Sequence, residues 1–141
     1  MAKDTGLLFV YGTLKVDTGS ESFARYFDGF RLDSKPASVK GVLYDMGYFP
    51  GLILGGDKTV YGELHRYSDF NNVIDAMDRV EGYFGKNDPH NLYNRVIAQV
   101  IVEANKASVT ATLYEFADSV DRYSAILNGI WTIDNPSEME A

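Results

Sequence analysis

Four apolar residues, Leu7-Leu8-Phe9-Val10, run without a break into Tyr11-Gly12-Thr13-Leu14. An apolar run that short, carrying a β-branched and an aromatic residue, reads as a buried strand. Gly12 marks its end. Glycine tolerates positive φ and, lacking Cβ, leaves nearby backbone N–H groups open to a ligand. A buried strand that opens into a turn suits a binding site. It is equally the look of an ordinary strand terminus, and this stretch alone does not separate the two.

The rest of the chain must supply partners for that strand. Lys15 to Ser20 is a polar loop, and Glu21 to about Phe27 reads as a short helix with Phe23 and Phe27 turned inward, stopped by Gly29. Phe30 to Lys40 is polar, holds Pro36 and reads as irregular. Strands follow at Val39–Asp45, at Leu52–Leu54 and at Val60–Tyr67, the last two expected to pair as a hairpin across Gly55–Thr59. A helix is expected over Asp69–Glu81, then a loop from Gly82 to Leu92. Tyr93–Val102 and Ser108–Phe116 read as a long antiparallel pair. The expected fold is α+β: a small six-stranded, mostly antiparallel sheet curling toward a barrel, with two helices.

At 141 residues the chain fits a single domain, 1–141, with its core over about residues 7–131 and a polar tail at 134–141. Its 45% hydrophobic content suffices for one sizeable core. No apolar run approaches the ~18–20 residues of a membrane span, and the first residues lack a signal-peptide apolar region. A cytoplasmic location is therefore expected. The absence of cysteine removes disulfides, thiol nucleophiles and Cys-ligated metal. A net charge of −7 without any Lys/Arg run repels polyanions, so neither nucleic acid nor a membrane surface is expected as a partner.

The Asp69–Glu81 helix holds an anomaly. Phe70, Val73, Ile74 and Met77 fall at the i, i+3, i+4, i+7 spacing of a core-facing stripe. Glu81 lies eleven, seven and four residues after Phe70, Ile74 and Met77, within roughly 20–40° of them around the axis. A glutamate thus ends the stripe that enters the core. Asp75 points about 120° away, and Asp78 flanks the stripe by about 60°. Desolvation raises a carboxyl pKa, which makes Glu81 a candidate general acid/base near neutral pH. Two structural readings stand beside this one. The last helical turn can unwind and release Glu81 to water, or Arg79, Arg95 or Lys86 can pair with it.

Other candidates carry less. His65 and His90 lie in a strand and a loop without metal-ligand spacing, and Asp17, Glu21, Asp45 and Glu63 are too dispersed for a metal cluster. No metal site is expected. Gly55-Gly56-Asp57-Lys58 has the composition of a phosphate loop without its spacing or following helix. Ser20, Ser22 and Ser124 lack a nucleophile-elbow context. Tyr48, Phe49, Tyr83 and Phe84 could alternatively form an aromatic docking surface for another protein.

In order and spacing, a set of short pieces resembles the gamma-glutamylcyclotransferase-like family, in its branch of AIG2-like proteins and gamma-glutamylamine cyclotransferases. The pieces are Phe9–Leu14, Gly41–Gly47 with Pro50, Val60–Leu64, Met77–Gly82, Tyr93–Val96, Ala111–Tyr114 and Gly129-Ile130-Trp131. The resemblance implies a small mixed barrel with a cavity beside the Tyr-Gly-Thr-Leu turn. It implies cofactor-free and metal-free cyclisation of a gamma-glutamyl substrate to 5-oxoproline, with release of an amine. Glu81 corresponds to the family's catalytic glutamate, and Tyr11, Gly12, Thr13, Leu14, Tyr44 and Tyr93 are the implied substrate-binding residues. Departures occur in the Lys15–Gly19 loop, at His65 and at Ile130, and the first two would reshape the leaving-group side. A non-catalytic domain that binds a small metabolite is the alternative on the same fold.

Overall fold

A computed structural model describes residues 5–12, 27, 29–47 and 49–131. Six strands and, among the described residues, one helix follow in order: β1 (Gly6–Val10), β2 (Arg31–Asp45), β3 (Pro50–Tyr67), α1 (Phe70–Glu81), β4 (Tyr93–Val102), β5 (Ser108–Phe116) and β6 (Ser124–Ile126). The spatial order is β3-β1-β5-β4-β2-β6, and β2 also pairs with β3. That second pairing closes five strands into a barrel and leaves β6 as an addition on β2. All pairs are antiparallel except β1–β5. The expected second helix lies, apart from buried Phe27, outside the described residues, as do Thr13, Leu14, the Lys15–Ser20 loop, Tyr48 and the tail at 134–141.

Two expectations need correction. The segment after Phe30 is not irregular: Arg31–Asp45 is one strand, with Pro36 opposite Glu63 on β3. The Pro36 carbonyl accepts from the Glu103 N–H at 3.0 Å. In an extended strand a residue's N and C=O point the same way. The missing proline donor therefore faces Glu103, away from β3, and costs no β2–β3 bond. Nor is Gly55–Thr59 a hairpin turn. Residues 50–67 form a single strand, and its register against β2 jumps from Lys40↔Thr59 to Gly41↔Leu54. The four residues Gly55–Lys58 bulge out, with Gly55 and Gly56 at φ 112° and 79°. The hairpin reversal lies instead at Met46–Phe49, where the Met46 N–H meets the Phe49 carbonyl at 3.0 Å and the Gly47 N–H meets Asp45 Oδ1 at 2.8 Å. The short β6 had no expectation attached to it.

Alternation along β1 divides the core. Phe9 and Tyr11 join Leu43, Leu52, Leu113 and Trp131 in one cluster. Leu8 and Val10 point the other way and, with Tyr67, Tyr93 and Tyr114, receive Val73, Ile74 and Met77 of α1. The expected helical stripe is thus the face that α1 buries. No helix among the described residues is long and apolar enough to cross a membrane.

Candidate active site

The end of α1 is fixed by the residue after it. Gly82 takes φ 67°, the left-handed conformation that glycine adopts without a Cβ penalty. The N–H of Tyr83 then closes onto the Asp78 carbonyl at 2.9 Å. The following loop is tied back in turn. Leu92 N–H donates to the Gly82 carbonyl at 2.9 Å, while the Asn91 side chain accepts from Phe84 N–H and donates to the Gly85 carbonyl. The last turn does not unwind, so Glu81 stays on the stripe.

Glu81 is half-buried as a residue, and burial of its carboxyl pushes the pKa up to about 7. Its carboxylate has no hydrogen bond or ion pair among the described residues. The three cations considered as partners are otherwise placed. Arg95 Nη1 lies 2.6 Å from Asp78 Oδ2, Arg79 donates to the Asp75 carbonyl, and Lys86 is exposed. The structural reading of Glu81 as half of an ion pair with Arg79, Arg95 or Lys86 therefore fails.

Three buried phenols lie within electrostatic reach of this carboxyl. Tyr11, Tyr93 and Tyr114 all have raised pKa values, caused first by burial, with the Glu81 charge contributing to each. Such an effect fades with distance, so Glu81 and all three phenols share one neighbourhood. Each phenol donates its proton elsewhere: Tyr11 to the Tyr114 main-chain carbonyl at 2.5 Å, Tyr93 to the Pro50 carbonyl at 2.5 Å, and Tyr114 to Asp78 Oδ1 at 2.6 Å. A Cβ on Gly12 would stand 3.0 Å from the Pro50 ring, so this glycine permits a close approach of the turn to Pro50.

Tyr11, Gly12, Tyr93 and Glu81, drawn from two strand ends and a helix end, thus form one cluster. Thr13 and Leu14 lie outside the described residues. Tyr44 is not joined to it: half-buried on β2 opposite Gly51 and Ala125, it has no bond or ring contact with the cluster among the described residues. His65 is fully buried on β3, its Nδ1 2.8 Å from the Tyr67 hydroxyl and its Nε2 2.9 Å from Glu63 Oε1. His90 is exposed beside Asp88. Among the described residues no group of three or more His, Asp or Glu could hold a metal ion. Asp78, Tyr114 and Pro50 are cluster members that sequence reasoning passed over. Asp78 carried a usable signal, standing one turn before Glu81 and flanking the same stripe.

With the phenol protons committed and their ionisation opposed, Glu81 is the member of this cluster able to exchange a proton near neutral pH. The family described as "Gamma-glutamyl cyclotransferase, AIG2-like" matches residues 8–133. The gamma-L-glutamyl-butirosin B gamma-glutamyl cyclotransferase of Niallia circulans is 38% identical over 94 residues, 66% of this chain. The aligned segment spans 56% of that relative's length. In fold, the chain is similar to YkqA from Bacillus subtilis (TM-score 0.64, 22% identity, 90% of this chain and 39% of that one). It is also similar to a solved gamma-glutamyl cyclotransferase (TM-score 0.53, 13% identity, 86% of this chain and 70% of that one).

Proposed function

This chain belongs to the gamma-glutamyl cyclotransferase, AIG2-like family, and we propose that it cyclises a gamma-glutamyl amine or amino acid to 5-oxoproline, with Glu81 as general acid/base. One observation carries the reading: a carboxyl that ends an apolar helical stripe, unpaired among the described residues, raised to about 7 and within electrostatic reach of Tyr11. The Glu81 carboxylate takes a proton from the substrate's α-amine as its nitrogen attacks the γ-carbonyl carbon. The C–N bond to the leaving group then breaks, and the Glu81 acid returns that proton to the departing nitrogen. The new lactam C–N bond replaces the old amide bond, and no water is consumed. Because attack is intramolecular, most of the task is to fold the substrate into an attack geometry. Tyr11, Gly12, Thr13 and Leu14 hold the glutamyl head group, and Tyr93 forms the opposite wall. Tyr44, joined to none of them, has no part in this proposal.

The wild-type protein incubated with a panel of gamma-glutamyl amines and amino acids tests the reading. Equimolar 5-oxoproline and free amine are expected from at least one substrate. Free glutamate would mean hydrolysis instead. Binding by calorimetry without any product would leave a metabolite-binding domain and overturn the enzyme reading.

A further inference from the structure

We propose that Asp78 is a positioning residue for this reaction, one carboxylate that locks the turn bearing Glu81 against two strands and holds Arg95 away from it. The inference rests on the cyclotransferase reading above. The two oxygens of Asp78 serve different strands: Oδ1 accepts from the Tyr114 hydroxyl on β5, and Oδ2 from Arg95 on β4, each at 2.6 Å. The chain of bonds continues, since the Tyr114 carbonyl accepts from the hydroxyl of Tyr11, the residue that follows β1. One side chain of α1 is thereby connected to three strands.

Glu81 follows Asp78 by three residues, about 4.5 Å along the axis and about 60° around it. The angle at which Asp78 is held therefore sets where Glu81 points. Near-attack geometry is steep in distance, and a misplacement of about 1 Å costs about 10²-fold in rate. The pair is also shielded, with side-chain exposures of 18% for Asp78 and 34% for Arg95, so loss of one partner leaves a poorly hydrated charge.

Arg95 gives Asp78 its second task. The charge of Glu81 reaches the phenols of Tyr11, Tyr93 and Tyr114; Asp78 on its own helix and Arg95 on β4 act on the same Tyr114 phenol, and Glu115 on β5 acts on that of Tyr11. Both Glu81 and Arg95 act on the Tyr114 phenol, so the guanidinium stands within electrostatic reach of the site. It is anchored by Asp78 on one side and lies over the Tyr83 ring at 5.1 Å on the other. Released from Asp78, its nearest unpaired carboxylate in this cluster is Glu81. An Arg95–Glu81 pair would favour the charged form and weaken Glu81 as a base.

The test compares wild type, Asp78→Asn, Tyr114→Phe and Glu81→Gln. Readouts are kcat and KM per folded molecule, the pH–rate profile, and an infrared titration of the Glu81 carboxyl identified by its loss in Glu81→Gln. Asp78→Asn is expected to lower kcat by about 10²-fold with KM little changed. It should also move the acidic limb and the infrared midpoint downward. Tyr114→Phe keeps the ion pair, so kcat should fall less and the midpoint should stay in place. A merely structural role would lower the melting temperature while leaving kcat per folded molecule and the midpoint at wild-type values. That result overturns the inference. Should Asp78→Asn fail to fold, a wild-type kcat in Tyr114→Phe overturns it as well. Should the wild type form no 5-oxoproline, the cyclotransferase reading fails, and the infrared midpoint still decides whether Asp78 governs Glu81.

Discussion

Asp78 and Glu81 leave neighbouring turns of α1 toward the same cluster, yet Arg95 lies 2.6 Å from Asp78 and forms no ion pair with Glu81. One acid is spent on holding the scaffold together. The other is left desolvated, with its pKa pushed up to about 7. In the proposed mechanism, that division lets a glutamate transfer a proton at neutral pH.

The pH dependence of turnover follows from it. In the proposed mechanism Glu81 accepts the substrate proton as a carboxylate, so kcat/KM should fall on acidification with a limb near pH 7, where the carboxyl titrates. A profile measured from pH 5 to 9 checks this. A limb at pH 4–5 would describe an ordinary exposed glutamate.

Stability should depend on the same proton. The folded pKa of about 7 exceeds the ordinary 4.5, so between those values the native state binds more protons than the unfolded one. Stability from this group is therefore greatest below about pH 4.5 and is lost as pH rises to about 7. Glu81→Gln removes the titration. Urea unfolding should show the variant gaining on wild type across that window, by on the order of 2–3 kcal/mol at pH 8, with the gap closing at pH 5.

Gly82→Ala places a Cβ at φ 67° and 3.1 Å from Leu92 Cβ. Both effects oppose the left-handed cap. A loss of about 1 kcal/mol is expected, a fall of about 4 °C in Tm by calorimetry. Turnover should fall further than stability, because the strain acts on the residue next to Glu81.

Tyr93→Phe removes the donor that satisfies the buried Pro50 carbonyl. The loss is expected to be about 1–2 kcal/mol in chemical denaturation. Pro50 abuts Gly12, so KM should rise more than kcat falls.

How much of this was legible in the residues depends on the range over which each feature is encoded. β1 and α1 are written in local periodicity, and the angular position of Glu81 could be counted from Phe70, Ile74 and Met77. The long β4–β5 pair was equally readable. A barrel-like sheet was expected, but how it closes was not readable. It depends on β2 pairing with β3 on both sides of a Gly55–Lys58 bulge, and two adjacent glycines look the same in a bulge as in a hairpin. Pro36 misled for a related reason, since which side of a strand its missing donor faces is a tertiary fact. Arg95 is the clearest case at the site. It was recognisable as a cation able to reach the end of α1, but that it pairs with Asp78 and not Glu81 depends on how β4 packs against the helix, which local sequence does not encode.

The central claim is that Glu81 moves the proton, and 5-oxoproline release by Glu81→Gln beside wild type, at matched fold and saturating substrate, tests it most directly. The amide is nearly isosteric and cannot accept the α-amine proton. The account predicts that turnover is abolished while circular dichroism and substrate binding persist. Wild-type turnover in the folded variant would contradict it.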